Sequence, residues 1–222
     1  MKKSILITAL LGTAALSASA ELVHFTYDSG FADSGNIPDG NTSPWSDTRT
    51  LSGMDDCTIT GVQVRLELSG SYNGDLYGYL SYNGVLVPLM NRVGVGSGNA
   101  FGYGDAGLSV TFSDTAPANI HFYQAVSDYS ITGGALWQPD GRTVSPIASS
   151  PFDFDAPGTV TLGRYDDMAP NGDWSLIFAD VSVGGGQATV VQWGLDIQVV
   201  PEPTGMALGM LGGALCWLLR RR

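Results

Sequence analysis

The stretch Ile59-Thr60-Gly61-Val62-Gln63-Val64-Arg65-Leu66-Glu67-Leu68 decides the fold class of this chain. From Val62 onward apolar and polar residues alternate, which places the apolar side chains on one face of an extended strand. One-sided alternation is typical of an antiparallel sheet that buries one face. The same period of two recurs at 174–178 and 191–199. The sequence therefore predicts an all-β protein.

An Asn-Gly dipeptide marks a hairpin close to this strand. Asn83-Gly84 separates the apolar segments 76–82 and 85–89, and it favours a two-residue type I′ turn. Further strands are predicted at 22–27, 108–112, 120–123 and 159–162. Eight or nine short strands predict an antiparallel, jelly-roll-like β-sandwich. The proline-containing segment 125–157 is expected to form a long ordered loop on one edge.

The N-terminal segment has the pattern of a secretory signal peptide. Two lysines precede an apolar stretch, and Ala18 and Ala20 then form a small-x-small cleavage site. The sequence thus predicts a signal peptide at 1–20. The mature domain is expected at 21–200, which is long enough to bury a core.

The C-terminal segment, 201–222, combines three features. In order they are a motif formed by Pro201, Glu202 and Pro203, an apolar run of 16 residues, and a basic cluster formed by Arg220, Arg221 and Arg222. With 16 residues, the run is shorter than the ~20 residues that a stable membrane helix usually needs, and as a helix it would span roughly 24 Å. The arginines are expected to act as a membrane stop on the cytoplasmic side.

This tripartite layout resembles the PEP-CTERM sorting signal. The resemblance implies a short transmembrane helix, a transient inner-membrane anchor, and cleavage near the motif by a membrane enzyme, exosortase. The protein would then pass to the cell surface or the extracellular matrix. The alternative is an ordinary C-terminal membrane anchor.

The predicted mature domain is strongly acidic. Residues 21–200 contain five arginines, no lysine and twenty acidic residues, a formal charge of −15. This charge argues against nucleic acid and anionic membranes as partners. It suits either a solvated surface or cation binding. Cys57 and Cys216 lie in different segments, so we expect no disulfide and a buried, apolar Cys57.

Several short motifs follow one another in a defined order between 36 and 199. They are Ile-Pro-Asp at 37–39, Asn-Gly-Asp-Leu at 73–76, Gly-Asp-Trp-Ser-Leu at 172–176, Asp180 and Trp-Gly-Leu at 193–195. This order resembles the P domain (P/Homo B), the β-sandwich that follows the catalytic domain in subtilisin-like proprotein convertases. The resemblance implies a non-catalytic domain. We find no subtilisin-like segment upstream, so the proteolytic association is not expected to transfer.

Catalytic chemistry has few candidates in this sequence. The predicted mature domain contains only His24 and His121, and no serine lies in a nucleophile-elbow motif. No zinc-ligand motif occurs. We therefore predict no catalytic residues and no enzyme activity. A hydrolase that uses two carboxylates stays open, because a sequence does not show how far apart two carboxylates lie.

Calcium is the candidate cofactor, because acidic, glycine-rich loops supply oxygen ligands. The predicted ligands are Asp39, Asp75 and Asp180, and three more aspartates, Asp166, Asp167 and Asp173, flank another turn. The P-domain resemblance supports the positions of Asp75 and Asp180, not their role. The alternative is that these aspartates cap turns by accepting from backbone N–H groups.

Sugar binding is the remaining candidate. Trp45, Trp137, Tyr72, Tyr103 and Tyr129 fall in loop-like stretches, where aromatic rings either stack on polysaccharide or pack beneath the loops. The main functional prediction is an exported, non-catalytic β-sandwich with a structural or adhesive role. The alternatives are a carbohydrate-binding module for exopolysaccharide and a hydrolase whose carboxylate pair is not identified.

Overall fold

The alternating segment at 59–68 lies at the centre of a sheet. The computed structural model describes residues 19–202. Ala18, Pro203 and the predicted tail helix with Arg220, Arg221 and Arg222 lie outside the described residues. The strands are β1 (Glu21–Tyr27), β2 (Asn36–Ile37), β3 (Asn41–Leu51), β4 (Cys57–Ser69), β5 (Leu76–Tyr82), β6 (Val85–Asn91), β7 (Leu108–Phe112), β8 (Ala135–Trp137), β9 (Gly172–Asp180) and β10 (Ala188–Pro201).

Short 3-10 helices interrupt the connections between the strands. Those in the described part are Ala32–Gly35, Asn73–Asp75, Ile120–Ala125, Pro151–Asp155 and Leu162–Tyr165. Within 19–202 the structure contains no helix with the length and apolar character needed to cross a membrane. The prediction of an all-β domain is confirmed.

The strands form two sheets. Sheet A has the order β1-β10-β4-β7-β8, with β2 also paired to β10, and sheet B has the order β3-β9-β5-β6. All pairs are antiparallel except β7 with β8, which run parallel. The prediction of purely antiparallel sheets is therefore wrong at this edge. The reason is that the chain between these two strands crosses over instead of making a hairpin.

The alternation in β4 has the predicted effect on packing. Val64 and Leu66 are buried, while Arg65 and Glu67 are only partly covered. Sheet B contributes Trp174, which stacks on Tyr82 with ring centroids 4.0 Å apart. One apolar cluster draws its residues from both sheets, so the inner faces of the sheets form a common core.

The hairpin is confirmed, and a bulge changes the last strand. Asn83 and Gly84 have φ values of 48° and 78°, as a type I′ turn requires. In β10 the register shifts between Val190 and Gln192. Because a bulge inserts one residue, Val190 is buried and Val191 is 41% exposed, although the alternation placed Val191 in the core.

Two predicted strands are absent, and three strands, β2, β3 and β8, lie where no strand was predicted. Residues 120–123 form part of the 3-10 helix Ile120–Ala125, where the side chain of Asn119 accepts from the backbone N–H of His121. Residues 159–162 form no strand. β3 and β8 lie where loops were predicted, and they bury Trp45 and Trp137. Cys57 is only partly buried.

Candidate functional site

A cleft of about 410 Å³ opens on the outer face of sheet A. It is lined by residues of β1, β4 and β10, by the three residues that follow β7, and by residues in and directly after the 3-10 helix Leu162–Tyr165. We call it the acidic cleft, because carboxylates, hydroxyls and amides line much of it. These side chains include Gln63, Ser113, Asp114, Thr115, Asp166 and Asp196.

The strand register places four polar side chains in a row across this face. His24 lies opposite Asp196 on β10, and Asp196 lies opposite Gln63 on β4. Gln63 Nε2 in turn donates to Ser113 Oγ over 3.3 Å. Asp196 Oδ1 is 2.8 Å from His24 Nδ1 and 3.0 Å from Arg65 Nη2. Asp196 is therefore held by two basic side chains.

The row is not a Ser-His-Asp triad. Ser113 is at the end of β7 and His24 is on β1, so three inter-strand steps of about 4.8 Å separate them, or roughly 14 Å. Ser113 Oγ instead hydrogen-bonds to Thr115 Oγ1 at 2.9 Å. A histidine at that distance cannot take the serine proton.

Asp114 and Asp166 form a carboxylate pair in the cleft. Asp114 Oδ1 accepts from the backbone N–H of Leu162 over 3.0 Å, and Oδ2 accepts from that of Gly163 over 2.7 Å. The Oδ2 atoms of Asp166 and Asp114 lie 3.4 and 3.5 Å from the point where a Cβ on Gly163 would stand. The two oxygens are therefore no more than about 7 Å apart.

The two carboxyl groups differ in their surroundings. Partial burial raises the pKa of Asp166, and the nearby carboxylates of Asp114 and Asp167 raise it further. Asp114 accepts two backbone hydrogen bonds and still has a free acceptor position on each oxygen. The pair thus combines a carboxyl group that keeps its proton to higher pH with a carboxylate that is fixed in orientation.

The predicted calcium ligands lie together at one end of sheet B. Leu76, which follows Asp75, pairs with Asp180, and burial raises the pKa of both aspartates. Asp180 raises the pKa of Asp75 further, and Asp39 raises that of both. Asp180 accepts from Ser71 Oγ at 2.7 Å. Within residues 19–202 no three acidic, histidine or cysteine side chains form a group that could hold a metal ion.

His121 belongs to a buried network and not to a catalytic site. Its Nδ1 is 2.7 Å from Asp140 Oδ2, and its Nε2 donates to the backbone oxygen of Val95 over 2.9 Å. Arg142 Nη1 donates to Asp140 Oδ1 over 3.0 Å. Because both ring nitrogens are occupied and the side chain is fully buried, His121 has no access to a substrate.

The predicted sorting motif begins inside the last strand. Pro201 ends β10 and pairs with Cys57, so the strand runs one residue past the predicted boundary at 200. The backbone N–H of Glu202 donates to the backbone oxygen of Asp56 over 2.7 Å. At the other end, Ala20 lies directly before β1 and is exposed.

The aromatic residues predicted for sugar binding do not form a common surface. Trp45 and Trp137 are 5% and 4% exposed, so they belong to the core. Tyr72 and Tyr129 are 46% and 40% exposed, and Tyr103 is partly buried against Tyr123. Sequence analysis did not single out Asp114, which the fold brings close to Asp166. Its local signal is its position two residues after the strand at 108–112.

No protein-family model matches this chain. No curated protein matches it. Among solved structures, the serine protease of Aeromonas sobria matches with a TM-score of 0.45 and 13% identity, over 84% of this chain and 28% of the protease chain. A complex of that protease with its chaperone matches with a TM-score of 0.44 and 14% identity, over 81% of this chain and 27% of that chain.

The matched structures are serine proteases, and this finding contradicts two predictions. One was that the chain is not an enzyme, and the other was that it is a non-catalytic protein with a structural or adhesive role. Both are withdrawn. At this TM-score and identity, the matches identify no reacting residue, substrate or partner of this chain.

Proposed function

We propose that the chain is a hydrolase of neutral glycans that works through the acidic cleft. The observation that carries the proposal is the pair formed by Asp166 and Asp114, with oxygens within about 7 Å, on the wall of a cleft of about 410 Å³. Glycoside hydrolysis uses two carboxyl groups roughly 5–9.5 Å apart, one of them with a raised pKa.

Each carboxyl group has one role. Asp166 holds a proton and donates it to the oxygen of the glycosidic bond, so that this oxygen leaves as an alcohol. Asp114 accepts a proton from a water molecule, whose oxygen forms the new bond to the sugar carbon. One water is consumed, one C–O bond breaks and one forms. The backbone N–H groups of Leu162 and Gly163 donate to Asp114 and thereby fix the direction of its free acceptor positions.

The remaining cleft residues suit a substrate rich in hydroxyl groups. Thr60, Gln63, Thr115 and Gln198 supply hydroxyl and amide groups that both donate and accept hydrogen bonds. The carboxylates of Asp114 and Asp196 and the domain charge of −15 disfavour an anionic polymer. A neutral glycan satisfies both conditions.

Replacement of Asp166 by asparagine tests the proposal. We expect Asp166→Asn to lower hydrolysis of alkyl glycosides or soluble neutral glucans at least about a hundredfold, because the leaving oxygen is no longer protonated. Activity on p-nitrophenyl glycosides should fall much less, because that leaving group needs no proton. New reducing ends and released nitrophenol measure the two reactions.

The control is Asp128→Asn, which changes an exposed aspartate that does not line the acidic cleft. It should leave both activities unchanged. The proposal is wrong if the native protein hydrolyses none of these glycosides and glucans. It is also wrong if Asp166→Asn loses both activities equally while its melting temperature stays the same.

The fold type and the sorting of the chain form a further part of this proposal. The ordered motifs between 36 and 199 support a P-domain-type jelly roll. The signal-peptide pattern and the layout of 201–222, with its short apolar run, support sorting by exosortase to the cell surface or extracellular matrix. Extracellular polysaccharide would then be the substrate. A mass of the exported protein that ends near Pro201 supports this sorting, and a mass that includes Arg222 contradicts it.

A further inference from the structure

A second groove lies on the outer face of sheet B. It has a volume of about 210 Å³. Tyr77 and Tyr79 of β5 line it together with residues 145–147 of the long loop. Thr42 and Pro44 of β3 also line it. We call it the tyrosine groove.

The two tyrosines share one face because they are two residues apart in a strand. Leu76 and Leu80 of the same strand are fully buried in the core, so the tyrosines point away from it. Their ring centroids are 5.4 Å apart and their planes make an angle of 45°. The rings therefore present a contiguous aromatic surface inside the groove.

The groove is uncharged in a protein that is otherwise strongly acidic. None of the residues that line it in the described part of the chain is an acid or a base, while the domain has a formal charge of −15. Burial raises the pKa of Tyr77, and Tyr79 and Asp140 raise it further, so its hydroxyl remains a neutral donor. A charged ligand would find no partner here, and the groove therefore suits a neutral ligand.

We infer that the tyrosine groove binds a hexose unit of a neutral polysaccharide. The C–H face of a sugar ring packs on the tyrosine rings, and its hydroxyl groups reach those of Thr42, Ser145 and the tyrosines. The volume lies below the roughly 300–1,000 Å³ of pockets for drug-sized ligands, so it suits a single ring.

A proline-rich peptide fits these observations less well. Such a peptide extends about 3.1 Å per residue and needs a longer aromatic groove than one of this volume. The hydroxyl groups of Thr42 and Ser145 also match a sugar better than a proline ring. The inference goes beyond the proposed hydrolase, because the tyrosine groove lies on the other sheet and needs no reaction.

The test is the double variant Tyr77→Ala/Tyr79→Ala. It is made in the protein as isolated, whether or not the terminal segments have been cleaved. We expect the native protein to bind dextran or laminarin, both neutral glucans, and not alginate, which is anionic. The double variant should bind the neutral glucan about tenfold more weakly or worse. Isothermal titration calorimetry at pH 7 measures the affinities.

Two further variants separate stacking from other effects. Tyr79→Phe keeps the ring and should retain most of the affinity. Tyr72→Ala removes an exposed tyrosine outside the groove and should leave binding unchanged. The inference is overturned if the double variant binds as tightly as the native protein, if neither neutral glucan binds, or if a polyproline peptide binds and the glucans do not.

The outcome is independent of the hydrolase proposal. Asp166→Asn should bind glucan as the native protein does, because Asp166 lies in the acidic cleft. The double tyrosine variant should still hydrolyse short soluble glycosides, which need no second contact. If the native protein binds glucan but hydrolyses none of the glycosides, the hydrolase proposal fails and the inference about the tyrosine groove stands. If the native protein hydrolyses glycosides but the double tyrosine variant binds glucan as tightly as the native protein does, the inference fails and the hydrolase proposal stands.

Discussion

Asp166 beside Asp114 on sheet A and Asp75 beside Asp180 on sheet B are two carboxylate pairs with different surroundings. Burial and a neighbouring carboxylate raise the pKa of both Asp166 and Asp75. Asp166, however, borders a cleft of about 410 Å³, whereas Asp75 is 6% exposed. A raised pKa thus accompanies both a candidate reaction site and a buried structural contact.

Access to substrate separates the two pairs. Asp180 is fully buried, and its carboxylate accepts from the hydroxyl of Ser71 and from the backbone N–H of Ser182. These contacts join the end of β9 to the turn before β5. The backbone N–H of Asp166 donates to the backbone oxygen of Gly163, and the residue is much more exposed than Asp180. We therefore expect mutations of Asp75 and Asp180 to change stability and mutations of Asp114 and Asp166 to change activity.

The largest expected difference is between Asp180→Ala and Asp166→Ala, in the free energy of unfolding that each variant loses. Asp180→Ala leaves the buried Ser71 hydroxyl without its acceptor, so we expect a loss of about 2–4 kcal/mol in the free energy of unfolding. Asp166→Ala should change that free energy by less than about 0.5 kcal/mol. Urea unfolding at pH 7 measures both. Equal losses would show that the two pairs are both structural.

A smaller effect is expected from Asp167→Asn, which should shift the pH dependence of activity at the acidic cleft. The Asp167 carboxylate raises the pKa of Asp166, so its neutralisation lowers that pKa. Asp166 must be protonated to act as the acid, and kcat/KM should fall as pH rises through its pKa. In the variant this fall should occur at lower pH. A profile that is unchanged, or shifted to higher pH, would contradict the role of Asp166.

The smallest expected effect is the rise in melting temperature caused by calcium binding to Asp39, Asp75 and Asp180. This calcium site stays a prediction. The raised pKa values of Asp75 and Asp180 mean that protonation stabilises the fold at low pH. This contribution is lost as pH rises through those pKa values. We expect calcium to raise the melting temperature by a few degrees at pH 7, and less in acid.

Magnesium at the same concentration is the control for that measurement, because it prefers strict octahedral sites that keep several waters. Asp75→Asn should abolish the calcium response and raise the melting temperature at pH 7 without calcium, since it removes one of two facing charges. A melting temperature that is indifferent to both calcium and chelator would exclude the calcium site.

Local alternation was enough to predict most strands but not their irregularities. Val64 and Leu66 face the core as predicted, because a period of two determines the face on which a side chain lies. The bulge beside Val191 and the 3-10 helix at 120–125 depend on partners far along the chain or on a side-chain cap. β3 has no clear alternation of apolar and polar residues, and the structure shows it as a strand through its pairing with β9.

The aromatic residues also show that a local pattern does not predict contacts with distant parts of the chain. Trp45 and Trp137 were predicted in loops, yet strand pairing buries both. Tyr77 and Tyr79 lie in a correctly predicted strand, but the tyrosine groove forms only because β3 and residues 145–147 lie beside them. A groove between segments distant in sequence has no local signal.

The sequence by itself determined the β class, the hairpin at Asn83-Gly84 and the acidic, lysine-free character of the domain. These properties depend on side-chain periodicity, backbone preference and formal charge, each of which is local or additive. Only the tertiary structure decided that Asp114 meets Asp166 while Asp75 meets Asp180, and that just the first pair borders a cleft. The physical reason is that a pKa shift and an open cleft both arise from distances between side chains that strand pairing brings together.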